Sequence, residues 1–209
     1  MSSNLVLAVI GIALAASPLA VAHISSSPDS ITPITLPQRE DPERGSSVIG
    51  LNFAGSNSWD ALGDPDNDVI IFNVATLMSL PSGTPVTITA IGWNVTIDTV
   101  GTSWISEARI YIDEPATTGG VFMAPGVGAD APGIASFSSG GQILLSSLSI
   151  PNLVLPNGML RLELYESFDD VANAIDANWM STVFITAVPS PGTAAILFAA
   201  SLAATRRRR

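Results

Sequence analysis

The chain of 209 residues contains no cysteine and no lysine, and only one histidine, His23. Each absence removes a class of chemistry. Without cysteine there is neither a disulfide framework nor a thiolate metal site. Without lysine there is no phosphate-binding loop of the Gly-Lys-Ser/Thr type. One imidazole, at the predicted cleavage junction, leaves none inside the body of the chain for a Ser-His-Asp or Cys-His site. Positive charge is also scarce: all eight basic residues are arginines, four of them consecutive at 206–209, and losing those four would take the net charge from −10 to −14. Such acidity disfavours nucleic acid, whose phosphates need cationic partners, so no nucleic-acid partner is expected. It suits solubility, divalent cations and a crowded polar matrix. The catalytic chemistry left is that of paired carboxylates, and the reading is that the chain is not an enzyme and has no catalytic residues.

Two apolar segments stand at the ends. Leu5 to Ala16 is a compact apolar run, Pro18 breaks it, and Ala20-Val21-Ala22 supplies small residues for cleavage before His23. Residues 1–22 are therefore expected to be a signal helix removed by signal peptidase, although Met1 to Asn4 carry no Lys or Arg. At the other end come Val188-Pro189-Ser190-Pro191-Gly192, an uncharged run from Ala194 to Ala204, and Arg206, Arg207, Arg208 and Arg209. The run favours a short helix, but is well below the roughly 20 residues that cross a bilayer. Arginines directly after it resist translocation, which would halt the chain with its bulk outside.

This tail resembles the PEP-CTERM sorting signal of Gram-negative bacteria: a Pro-x-Pro motif, an apolar helix and a basic cluster, with serine here where the family name has glutamate. The resemblance implies recognition by an exosortase-like membrane protease and transient inner-membrane retention. It further implies delivery to the outer envelope, the cell surface or the extracellular matrix, with a role in biofilm assembly.

Between the signals, residues 23–47 form a Ser/Pro-rich arm whose spaced prolines oppose both helix and central strand. Residues 48–188, about 140 in all, have the usual size of one domain, and residues 189–209 are the sorting tail. The domain reads as all-β. Runs rich in Val, Ile, Thr and aromatics at Val48 to Ala54, Asp68 to Val74, Val86 to Asp98, Trp104 to Asp113, Gln142 to Ile150, Met159 to Glu166 and Trp179 to Val188 lie between Gly, Pro, Asn and Asp. A short strand at Ile134 to Phe137 is also possible. These predict a two-sheet antiparallel β-sandwich, jelly-roll-like.

Alternation orients the strands. Leu160, Leu162 and Leu164 share one face, with Arg161, Glu163 and Tyr165 on the other; Ala108, Ile110 and Ile112 alternate likewise with Glu107, Arg109 and Tyr111. The polar faces are expected outward, with Arg–Glu neighbours as surface ion pairs. In Val86 to Asp98 the apolar set moves from even to odd positions, which predicts a bulge at Ala90 to Gly92 or a stretch buried on both faces.

Two constellations are candidate sites. Asp60, Asp64, Asp66 and Asp68 lie in one loop whose oxygen ligands could hold calcium. Val69 and Ala75 exclude an EF-hand, and the competing reading is an acidic turn with side-chain hydrogen bonds. Of the tryptophans, parity places Trp93 and Trp104 in the core, leaving Trp59 and Trp179 as candidate glycan contacts. The leading expectation is an exported, non-enzymatic surface or matrix protein. Alternatives are a carbohydrate-binding module with structural calcium, recognising extracellular polysaccharide, and a glycoside-active enzyme with two carboxylates about 5–10 Å apart.

Overall fold

The computed structural model describes residues 9–10, 45–116, 119–170 and 173–190. The proposed arm up to residue 44, the sorting tail from 191 and all of the signal segment except 9–10 lie outside the described residues. Val9–Ile10, within the run expected as a signal helix, is instead a two-residue strand (β1).

Among the described residues eleven further strands make a sandwich: β2 (Ser47–Asn52), β3 (Ser56–Ser58), β4 (Val69–Asn73), β5 (Val86–Thr99), β6 (Ala108–Asp113), β7 (Gly120–Met123), β8 (Ile134–Ser138), β9 (Ile143–Leu144), β10 (Leu153–Leu155), β11 (Met159–Glu166) and β12 (Ala177–Pro189). One sheet has the order β1-β7-β6-β11-β4; the other runs β10-β5-β12-β2, with β3 on β12 and β8 and β9 on β5. All pairs are antiparallel except β1 with β7. The chain changes sheet repeatedly, at β3–β4, β4–β5, β5–β6, β7–β8, β10–β11 and β11–β12, as a jelly-roll-like sandwich requires. The inner faces meet in one core that includes Leu160, Leu162, Leu164, Ile110 and Ile112 from the first sheet and Ile91, Ile97, Trp179, Val183 and Ile185 from the second.

The sequence expectation for β11 matches its observed ends, but that for Gln142 to Ile150 does not. There a two-residue strand gives way to a 3₁₀ turn at Leu145–Leu148. β3, β7 and β10 were not anticipated. At three or four residues each they are too short to show a period, and their positions are set by the strands they pair with.

The phase change in β5 is real, but its bulge lies one residue before the expected span. Ile88 pairs with Ala187 and Ala90 with Thr186, so Thr89 is the extra residue. Below it even positions face the core, above it odd ones, while β12 keeps one phase throughout. Residues 90–93 are all buried. Gly92 serves the crossing of the β8–β9 connection: a Cβ there would stand 2.6 Å from the Gly141 carbonyl oxygen. Ser139 fastens that connection, its amide donating to the Trp93 carbonyl at 3.0 Å and its Oγ accepting from the Trp93 amide at 2.8 Å.

The expected outward polar face of β11 and β6 is covered. Glu163 is fully buried, and Tyr111 and Tyr165 are nearly so. Phe122 lies across both tyrosines, 4.4 Å from the Tyr111 ring centre and 6.4 Å from that of Tyr165. Arg161 bridges Glu163 and, at 3.4 Å, Asp113. Arg109 forms no such bridge with Glu107 among the described residues; Glu107 instead accepts the Trp104 amide at 2.9 Å. These strands alternate as predicted, but their second face is a packed aromatic and ionic layer.

Candidate acidic site at one end of the sandwich

The β3–β4 loop is organised by Asn67. Its buried Oδ1 accepts the amides of Trp59 and Asp60 at 3.1 and 3.0 Å. Its Nδ2 donates to the Ala61 carbonyl at 2.8 Å and to Glu163 Oε1 at 3.1 Å. Gly63, at φ +88°, also donates its amide to Glu163 Oε1, at 2.6 Å. The loop is thereby tied down over β11, which is why Glu163 is buried.

This folding gathers three of the four predicted acids. Ligand oxygens of Asp60, Asp64 and Asp66 lie within 4.8 Å of one another. Asp68 is used otherwise: its Oδ2 accepts the Asn57 amide at 2.8 Å, in the middle of β3. Asp64 Oδ1 accepts the Asp66 amide at 2.9 Å, the side-chain-bonded turn that competed with calcium as an explanation.

The β11–β12 loop adds acids that the linear spacing did not join to this group. Asp169 lies near enough to Asp60 to raise its pKa, and the Asn173 amide donates to Asp60 Oδ1 at 3.4 Å. Burial is the largest reason that the Asp60 carboxyl titrates above the usual aspartate range, and Asp169 and Asp64 push in the same direction. Beneath it lie two carboxyls only 1 % exposed, Glu166 and Asp176. The Asp176 Oδ1 accepts from Ser103 Oγ at 2.6 Å, while its Oδ2 has no partner. Burial raises its pKa, and Asp169, Asp170 and Asp60 raise it further.

Glu166 Oε1 accepts from Ser58 Oγ, which itself accepts from Trp179 Nε1 at 3.1 Å; Glu166 Oε2 has no partner. Its pKa is pushed up to about 8, first by burial and then by Asp176 and Glu107, against the opposing effects of the Ser58 hydrogen bond and Arg109. A carboxyl so placed is neutral at pH 7 and out of reach of a substrate.

The tryptophans redistribute. Trp93 is buried as expected, but Trp104 is 44 % exposed, because β6 begins only at Ala108 and strand parity does not extend back through the turn before it. Trp179, expected as a surface glycan contact, is completely buried. It stands on the inner face of β12, between β5 and β3, where Trp179 pairs with Ile97 and Ser56. Trp59 is half-buried beside Asp60.

No family model matches the sequence, and no curated protein does. Among solved structures, the chain is similar to that of the T13 viral particle of IBDV, with 12 % identity, a TM-score of 0.32, and 68 % of this chain and 31 % of that one covered. It is also similar to the infectious bursal disease virus Gt strain structure, at 14 % identity and a TM-score of 0.31, covering 68 % and 32 %. The tobacco streak virus coat protein dimer is a third, at 12 % identity and a TM-score of 0.28, covering 73 % and 91 %. The chain thus spans about a third of the first two, and likenesses at this level carry no argument about its function.

Proposed function

We propose that the chain is an exported, non-enzymatic surface or extracellular-matrix protein, directed outward by its N-terminal segment and sorted through its C-terminal tail by an exosortase-like protease. The observation that carries this reading is where the fold hands over to the tail. β12, the central strand of its sheet, runs through Val188 and Pro189, and the Ser190 amide still donates to the Pro85 carbonyl at 3.0 Å. The Val-Pro-Ser-Pro-Gly motif therefore begins within the last strand of the sandwich, and the apolar run and arginines follow it in sequence. A protease acting after the motif would leave every core strand from β2 to β12 in the released domain.

The missing lysine and cysteine, and the absence of histidine after residue 23, support a non-enzymatic role. The carbohydrate-binding alternative has less support, because Trp179 is buried.

Replacing Arg206 to Arg209 with serine tests the sorting. The expected outcome is unprocessed protein in the periplasm or medium, since nothing then resists passage of the apolar run. Fractionation with intact mass reads the result. Processing and location unchanged from the parent chain would refute a sorting role for the basic cluster.

A further inference from the structure

We propose that the chain self-associates through β4: a second copy adds its own β4, antiparallel, to the open edge of the first sheet, so that one sheet runs through both copies. The inference is independent of the sorting mechanism.

The first observation is the direction of the backbone groups of β4. The Asp68 carbonyl accepts the Leu164 amide at 3.1 Å, and the Val74 amide donates to the Gly158 carbonyl at 2.8 Å. In the β4–β11 register these contacts assign the even-numbered residues to β11. Val69 and Ile71 therefore turn their amides and carbonyls away from the sheet, where β4 is the terminal strand and no described residue pairs with it. Antiparallel pairing about Ile71 sets Ile71 opposite its own copy and Val69 opposite Asn73, so that the outward groups of each copy meet those of the other across a two-fold axis.

The side chains favour the same register. Val69 and Ile71 are 44 % and 47 % exposed, while Ile70 and Phe72, on the opposite face of the strand, are only partly buried against the core. A second β4 places Ile70 of each copy against Phe72 of the other and joins the exposed residues into one apolar stripe. β4 also has no charged residue, proline or bulge, the devices by which edge strands avoid pairing. The other open edges differ. β10 is three residues bracketed by Pro151 and Pro156, β8 presents Ser136 and Ser138, and β2 has Gly50 midway, with its inner Ile49 and Leu51 already buried.

Charge decides the occupant and its direction. No Asp, Glu, Lys or Arg stands between Asp68 and Asp98, so at β4 two copies of an otherwise acidic chain meet without like charges in the paired strands. Antiparallel pairing sets the acidic loop at residues 60–68 of one copy beside the uncharged helical turn Val74–Leu77 of the other. Parallel pairing would bring the two acidic loops together, which repulsion opposes.

Sedimentation of the purified full chain should show a dimer that Ile71→Lys converts to a monomer, since like charges would then stand opposite one another. Val48→Lys, on the exposed face of β2, should leave the dimer intact. Near-UV circular dichroism checks that Ile71→Lys keeps the parental fold. Because the chain has no cysteine, Ile71→Cys gives a second test that keeps the position apolar: opposed Cα atoms of a hydrogen-bonded antiparallel pair lie about 5.5 Å apart, within disulfide range. Under mild oxidation it should cross-link roughly tenfold or more faster than Val48→Cys, because paired thiols share a high effective concentration. If Ile71→Lys loses the parental spectrum, the cross-linking comparison decides alone. A monomeric parent would overturn the proposal. So would a dimer that survives in a folded Ile71→Lys or is lost in Val48→Lys, or Ile71→Cys cross-linking no faster than Val48→Cys.

Discussion

Glu166 makes the stability of this domain depend on pH in a sense opposite to that of a salt-bridged acid. In the fold its carboxyl is buried with Oε2 unpartnered, and its pKa of about 8 compares with 4.5 for a free glutamate. Because the folded pKa is the higher one, the native state holds a proton that the unfolded chain releases. Stability is then greatest below the unfolded pKa, falls as pH rises from there toward 8, and is level above that. One proton of difference corresponds to about 1.4 kcal/mol per pH unit, and the whole window to roughly 5 kcal/mol. Asp60 and Asp176, also raised, act in the same direction from a lower starting pH.

Glu166→Gln isolates the one group. Its carbonyl can still accept from Ser58, and it has no charge to expose at high pH. Denaturant unfolding of the parent and variant at pH 5, 6.5 and 8, in EDTA and followed by tryptophan fluorescence, gives the difference directly. The variant should be close to the parent near pH 5 and more stable at pH 8, the gap widening by about 1.4 kcal/mol per unit. Relief of Asp176 by the lost charge would enlarge the gap at the alkaline end. A difference that is flat across this range would refute the assignment of a buried, neutral Glu166.

Two further predictions address the packing and the chemistry. Gly92→Ala should destabilise the domain by about 1–3 kcal/mol, because its Cβ would meet the Gly141 carbonyl at 2.6 Å; a denaturant midpoint equal to the parent's would mean that the β8–β9 connection yields freely. The purified chain should not hydrolyse peptides, esters or phosphates; turnover on a polysaccharide panel that disappears with a single Asp or Glu substitution would overturn the non-enzymatic reading.

What the sequence disclosed about this fold follows from the range over which each signal acts. β11 and β5 are legible because eight and fourteen residues are enough to show a period, and the change of phase in β5 announces its bulge. Alternation establishes that Glu163 and Leu162 point to opposite sides, but not that the side facing away from the core is wet. That depended on Gly63 and Asn67, about 100 positions earlier, reaching the same carboxylate. Trp104 and Trp179 were misplaced for related reasons. Parity does not reach past the start of β6 to Trp104, and Trp179, where the expected strand starts, lies inside β12, which begins at Ala177 and runs between partners.

The acidic site was half visible for the same reason. Asp60, Asp64 and Asp66 are neighbours in the chain, so their spacing alone suggests convergence, whereas Asp169 and Asp176 belong to another loop that only the topology brings near them. β3 and the start of β12 pair with one another, Ala177 opposite Ser58, and this brings the loops that flank them to one end of the sandwich. Ser58 binds both layers of the site: its carbonyl accepts the Asp176 amide at 3.0 Å, and its hydroxyl lies between Trp179 and Glu166. The sequence signal that pointed here was the pair of acid-rich loops, one after β3 and one before β12, in a chain with so few cations. Buried at the same end, Glu166 escapes the repulsion of nearby carboxylates by holding a proton, its pKa being pushed up to about 8.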